Sequence, residues 1–177
     1  MVGSLVLAAA LLVAAAGAAK LVGPEPAAVM LRRGWPALRH TVGLASVVRL
    51  AGLMELVIAL AVIGVGGRIP VAVLAGCYAV FALVAVRVAR LGQQASCGCF
   101  GRTESPVGTA HIVLNVICVA VCLAGILRPA GPLGGLFADH TMQGLVGLMQ
   151  AVLLAYLGFL SITALPALAA DRRRMST

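Results

Sequence analysis

Five apolar runs, each long enough to cross a lipid bilayer, leave this chain few ways to fold. They cover about residues 2–20, 41–65, 71–90, 108–127 and 144–169, with shorter, more polar stretches between them. A spanning helix needs about 20 apolar residues, and inside the hydrocarbon every backbone N–H and C=O must be bonded within the protein. The runs therefore predict an all-α, polytopic helical membrane protein, residues 1–177 forming a single integral membrane domain. With 62% hydrophobic and 10% charged residues, the composition excludes an ordinary soluble domain of this length. Aromatics are only 4%, so close packing through Ala, Gly and Val is expected.

The first run lacks the basic n-region of a signal peptide and is long enough to span, so it reads as a retained first transmembrane helix closed by Lys20. Ala10, Ala14 and Ala18 recur every fourth residue along it, a stripe suited to close helix contact. Gly23-Pro24-Glu25-Pro26 breaks the helix, and Ala27 to Arg33 reads as a short amphipathic segment at the interface, with Trp35 at headgroup level. Gly66-Gly67-Arg68-Ile69-Pro70 reads as a tight turn between the second and third spans. Residues 91–107 form a polar loop before the fourth.

The formal net charge of +8 has a different meaning here than in a soluble protein. A basic excess around spanning helices marks the cytoplasmic face and anionic headgroups, not nucleic acid. Five spans put Lys20, Arg32, Arg33, Arg39, Arg87, Arg90, Arg102 and Arg172 to Arg174 on one side, and Arg68 and Arg128 on the other. The positive-inside rule then orients the N-terminus outside, and the C-terminus and the 91–107 loop in the cytoplasm.

That loop carries Ser96-Cys97-Gly98-Cys99-Phe100-Gly101. Two cysteines cannot complete a tetrahedral zinc site, and five cysteines in all cannot pair fully within one chain. A disulfide closed over one glycine is strained and readily opened by a partner thiolate. Arg90, Arg102 and the N-terminus of the following helix would favour a thiolate at Cys97 or Cys99. Thiol–disulfide exchange is the leading reading. A plain loop with two free thiols, or a metal clip with ligands from elsewhere, is the alternative.

The fourth span adds His111, Asn115, Cys118 and Cys122, which fall within roughly 60° of one helix face. His111 stands near the loop and suits a base or proton carrier. Cys118 and Cys122 read as a deeper redox pair or, more plainly, as small packing residues; Asn115 reads as part of a proton path or as a bond between helices. Cys77 reads as packing. In the second span Glu55 is costly by about 2.5 kcal/mol or more at the bilayer centre, which calls for a partner or a function. Arg49 lies about 120° away around the same helix, a poor direct partner. Lys20 would reach Glu55 only if the first helix tilts or starts late. Glu55 thus reads as an inter-helix ion pair, or as a proton relay or quinone contact shared with Lys20, Arg49 and Asn115.

Ala19-Lys20-Leu21 with Gly23-Pro24, Met54-Glu55-Leu56 and Cys97-Gly98-Cys99-Phe100-Gly101 together resemble the methylamine-utilisation MauE family, within the DoxX-like group of small membrane proteins, over roughly residues 5–127. The resemblance implies a DoxX-like four-helix bundle, here followed by a fifth C-terminal transmembrane helix, in a bacterial plasma membrane. It implies a redox-associated role beside a thioredoxin-like partner, in disulfide formation or maturation of exported enzymes. Lys20, Glu55, Cys97 and Cys99 stand at family-type positions, whereas His111 and Asn115 depart from the Arg-Asn expected on the fourth helix. Three readings follow: a thiol–disulfide relay component using Cys97, Cys99 and His111; a non-enzymatic scaffold or metal-binding subunit; and a quinone-linked oxidoreductase subunit of the DoxX type.

Overall fold

The computed structural model describes residues 2–38, 40–90, 109–128 and 141–175. Among these residues there are six α-helices: α1 (Val2–Val22), α2 (Glu25–Gly34), α3 (Leu44–Gly64), α4 (Arg68–Arg90), α5 (Thr109–Leu127) and α6 (Thr141–Met175). A single 3₁₀ turn, Pro36–Leu38, follows α2, and no strand occurs among the described residues. Five helices, α1, α3, α4, α5 and the Met142–Ala164 part of α6, are long and apolar enough to cross a membrane. At 1.5 Å per residue their 19 to 23 residues reach about 30 Å, the thickness of the hydrocarbon. The chain is a polytopic helical membrane protein.

α1 is the centre of the bundle. Of its apolar window 56% is buried by other helices, against 11% for α6, so α1 packs the core while α6 lies along the outside. The residues that do this are Ala9, Ala10, Val13, Ala16, Gly17 and Lys20. The expected stripe of Ala10, Ala14 and Ala18 is not the contact face, since Ala14 is only half-buried and Ala18 is exposed. A spacing of four advances 400° and so drifts about 40° per step, which carries the third alanine off the interface. Alternating steps of three and four keep the true face aligned.

The spans alternate in direction. Gly17 lies against Glu55 and Gly52 against Lys20, so α1 and α3 are antiparallel. Gly125 of α5 meets Val6 of α1 and Val71 of α4, while Gly147 and Gly158 of α6 meet Ser4 and Leu12. α5 therefore runs against α1, and α6 runs with it. The C-terminal ends of α1 and α4 and the N-terminal ends of α3 and α5 thus gather at one end of the bundle.

Two boundaries differ from expectation. The turn between α3 and α4 is only Val65-Gly66-Gly67, with both glycines in the left-handed region (φ 66° and 82°), and α4 already starts at Arg68. Pro70 sits in the first turn of α4, where a proline costs no helical hydrogen bond. α6 continues past 169 to Met175, taking the Arg172 to Arg174 run into the helix.

α2 packs down onto the bundle. It buries Ala27, Ala28 and Met30 and turns Glu25, Val29 and Arg33 outward. Its apolar face covers Leu44 and Val48 at the start of α3 and Ala85 and Val88 near the end of α4. Arg87 ties it there: its Nε donates to the Gly34 carbonyl at 3.1 Å, and its guanidinium lies 4.9 Å from the centre of the Trp35 ring. A charged hydrogen bond with a cation–π contact is a firm latch for so short a helix.

α1 and α3 approach each other backbone to backbone. A Cβ on Gly52 would lie 2.7 Å from the Gly17 carbonyl oxygen, and one on Gly17 would lie 2.6 Å from that of Gly52. Because the obstacle is backbone, the helices must separate if either glycine gains a side chain. Gly52→Leu is expected to cost about 1–3 kcal/mol as an overpacked contact. Gly76→Ala, whose Cβ meets nothing within 4 Å, is expected to cause no loss of stability. Thermal unfolding of both variants in detergent checks the pair.

Candidate functional site

Where α1 and α3 cross, two charges are buried. Lys20 Nζ donates to both carboxylate oxygens of Glu55, at 2.7 and 2.6 Å. The residues are only 7% and 3% exposed, so neither charge is solvated at the surface. The register explains the meeting. Gly52 makes room for the Lys20 Cβ, which would stand 3.0 Å from a Cβ there, and Gly17 does the same for Glu55. Each helix carries a Gly-x-x-charge pattern, and antiparallel packing sets each glycine against the other helix's charge. That repeated pattern takes on meaning only once the antiparallel register is known.

Lys20 stands in the last turn of α1, yet Glu55 lies about midway along α3. The two meet because α3 extends about two turns beyond the end of α1, and α2 covers the overhang through Leu44 and Val48. The ammonium also lies 4.9 Å from the centre of the Phe81 ring of α4. Phe81 in turn meets Tyr78 edge to face, with ring centres 6.0 Å apart, and the Tyr78 hydroxyl donates to the Ala9 carbonyl at 2.7 Å. Tyr78 and Phe81 therefore bind α4 to α1 beside the ion pair. Sequence reading singled out neither aromatic, because nothing local separates a core aromatic from one facing a site.

Two cavities flank this arrangement. One, of about 200 Å³ beneath α2, is walled by apolar side chains of α2, α3 and α4, with Lys20, Glu55 and Asn115 as its polar members. The other is small, about 40 Å³, and is lined by Tyr78, His111 and Asn115 with apolar residues of α1. Phe81 and Asn115 line both and form the partition.

The fourth-span stripe faces inward as a group. His111, in the first turn of α5, is 5% exposed; Cys118 and Cys122 are 5% and 0% exposed, and Asn115 is half-buried. Cys118 and Cys122 are free thiols among the apolar core residues around Leu74 and Tyr78, and Cys77 is a free thiol partly buried against them. The Asn115 amide turns back on its own helix, donating to the His111 carbonyl at 2.8 Å, which is how a polar side chain is satisfied in a spanning helix without a neighbour. Arg49 is exposed on α3 and does not line the cavity beside Glu55. Its place near the start of the helix suits a side chain that reaches for the headgroups. Cys97 and Cys99 lie outside the described residues, in the segment joining Arg90 of α4 to Thr109 of α5. No cluster of three or more His, Cys, Asp or Glu able to hold a metal occurs among the described residues.

The family model of methylamine utilisation protein MauE matches residues 1–128. The chain belongs to the MauE family. The match takes in α1 to α5, both members of the ion pair and the Cys97-Gly98-Cys99 segment, while α6 falls beyond it. No curated protein and no solved structure matches the chain.

In this MauE-family protein, breaking the ion pair from either side leaves one buried charge without its partner. Lys20→Met and Glu55→Leu are each expected to destabilise by about 3–5 kcal/mol, and the double variant to recover most of that loss. A double-mutant cycle on unfolding in detergent measures the coupling. Additive losses would mean that the two side chains act independently.

Proposed function

We propose that the protein is a membrane component of a thiol–disulfide relay, exchanging disulfides through Cys97 and Cys99 with a thioredoxin-like partner during the maturation of other proteins. The observation that supports the reading is that the sequence between α4 and α5 carries Cys97-Gly98-Cys99, and that the facing ends of those two helices stand at the end of the bundle where His111 and the Lys20–Glu55 pair are buried. Membership in a family described by methylamine utilisation supports a setting in the assembly of enzymes for that metabolism.

The exchange balances in two steps. A partner thiolate attacks one sulfur of the Cys97–Cys99 disulfide, forming a mixed disulfide and releasing the other cysteine as thiolate. The partner's second thiolate then attacks its own sulfur in that mixed bond. The partner leaves oxidised, and Cys97 and Cys99 remain as a dithiol; two electrons have moved. A ring closed over a single glycine drives this direction, because opening it relieves strain. His111, two residues into α5, is the group we assign to carry protons to and from the leaving thiolate. Cys118 and Cys122 are not needed for the exchange and serve as packing.

For orientation we propose the N-terminus outside and the C-terminus and Cys97/Cys99 in the cytoplasm. The support is the ten-to-two distribution of Lys and Arg between the two sides, excluding Arg49.

In the reverse exchange Cys97 attacks the disulfide of an oxidised partner and Cys99 resolves the mixed disulfide, so Cys99→Ser is expected to trap that adduct, visible as a reductant-sensitive band on gels. Cys97→Ser/Cys99→Ser is expected to lose both the adduct and partner maturation. Full maturation with the double variant would sink the relay. A membrane-impermeant thiol reagent is expected to label Cys97 and Cys99 only after the cells are opened; labelling in intact cells would reverse the orientation.

A further inference from the structure

Arg32 stands half-buried on one flank of α2, and its Nε is buried without a hydrogen-bond partner among the described residues. A guanidinium donor left in that state is costly, and the group it lacks is an acceptor. Neither nearby carboxylate supplies one. Glu55 is bound by Lys20, and Glu25 stands about two turns, or about 10 Å, away at the other end of α2. Arg33 follows on the exposed flank, and Arg87 reaches α2 from α4, so the surroundings are basic. The missing acceptor is an anion from outside the fold.

The position of Arg32 says what kind of anion. It follows Ala28 by one turn on the same flank, and Ala28 packs with Leu44 and Val48 at the start of α3. One to two turns further along α3, Val47 and Ala51 line the 200 Å³ cavity, with Val80 across from them on α4. Val47 and Val80 are 56% and 57% exposed, so the cavity opens sideways into the hydrocarbon. Its polar members ask nothing of an occupant. Lys20 and Glu55 bond each other, and the Asn115 amide bonds the His111 carbonyl. The rest of the lining is apolar, a surface suited to a hydrocarbon chain. An unpaired cation thus stands at headgroup level, over a slot open to the lipid.

We propose that the protein binds one anionic phospholipid, with its phosphate against Arg32 and one acyl chain entering the cavity beneath α2 between Val47 and Val80. This is a defined site that needs one particular arginine, unlike the general attraction of basic residues to anionic headgroups. It does not depend on Cys97 or Cys99. Its failure would leave the relay reading untouched, and failure of the relay would leave the site.

The test uses the full chain in detergent micelles holding equal amounts of phosphatidylglycerol and phosphatidylcholine with the same acyl chains. Native mass spectrometry reads the lipid retained. One phosphatidylglycerol per chain is expected, preferred over phosphatidylcholine by about tenfold or more. Arg32→Gln is expected to abolish the preference. Arg33→Gln, which removes the same charge from the exposed flank, is expected to leave it. Ala51→Phe and Val80→Phe fill the slot from positions that are themselves exposed to lipid, so folding tolerates them, and each is expected to lower retention. Glycerol phosphate, a head group without chains, is expected not to displace the lipid. Equal losses with Arg32→Gln and Arg33→Gln would overturn the proposal in favour of diffuse attraction. Retention unchanged by both phenylalanines, or displacement by glycerol phosphate, would overturn it in favour of a phosphate site without the slot.

Discussion

The bundle depends on the contact of two glycines. Gly17 and Gly52 bring the backbones of α1 and α3 so close that neither tolerates a Cβ, and that approach seats Lys20 and Glu55 within hydrogen-bond range. In hydrocarbon the hydrophobic effect does not press helices together, so small-residue contacts and polar bonds between helices must do it. Both are concentrated at this crossing. The arrangement is self-reinforcing, because a wider separation would leave two charges buried without partners, at several kcal/mol each.

From this crossing the rest of the polar end follows. Antiparallel pairing leaves the first turns of α3 uncovered beyond the end of α1, and α2 fills that overhang with Ala27, Ala28 and Met30. The Arg87 contacts to Gly34 and Trp35 hold α2 across the end of α4. The space left under α2 becomes a cavity with one polar wall. Phe81 and Asn115 divide it from the smaller space beside His111, so the ion pair and the histidine sit on opposite sides of a thin partition.

Much of this was legible residue by residue. Glu55 declared itself as an expensive charge, and the His111 stripe was visible in its spacing. What stayed hidden was who meets whom. Lys20 near a helix end and Glu55 near a helix middle look mismatched until the offset between α1 and α3 is known. Tyr78 and Phe81, which bracket the pair, carry no local mark at all. The alanine stripe misled for a related reason: a regular spacing of four drifts off a straight interface, while the contact follows Ala9, Val13, Ala16 and Lys20.

The sequence by itself determined that the chain spans a membrane with five helices, because lipid permits no other use of such long apolar runs. It also determined which residues are too polar to be there without a reason. Only the tertiary structure decided that Lys20 and Glu55 form one buried pair, that Asn115 satisfies itself on its own helix, and that Arg49 stays outside. Those outcomes depend on helix register and on the offset between helix ends. Both are set by packing between segments far apart in the chain, where local spacing carries no information.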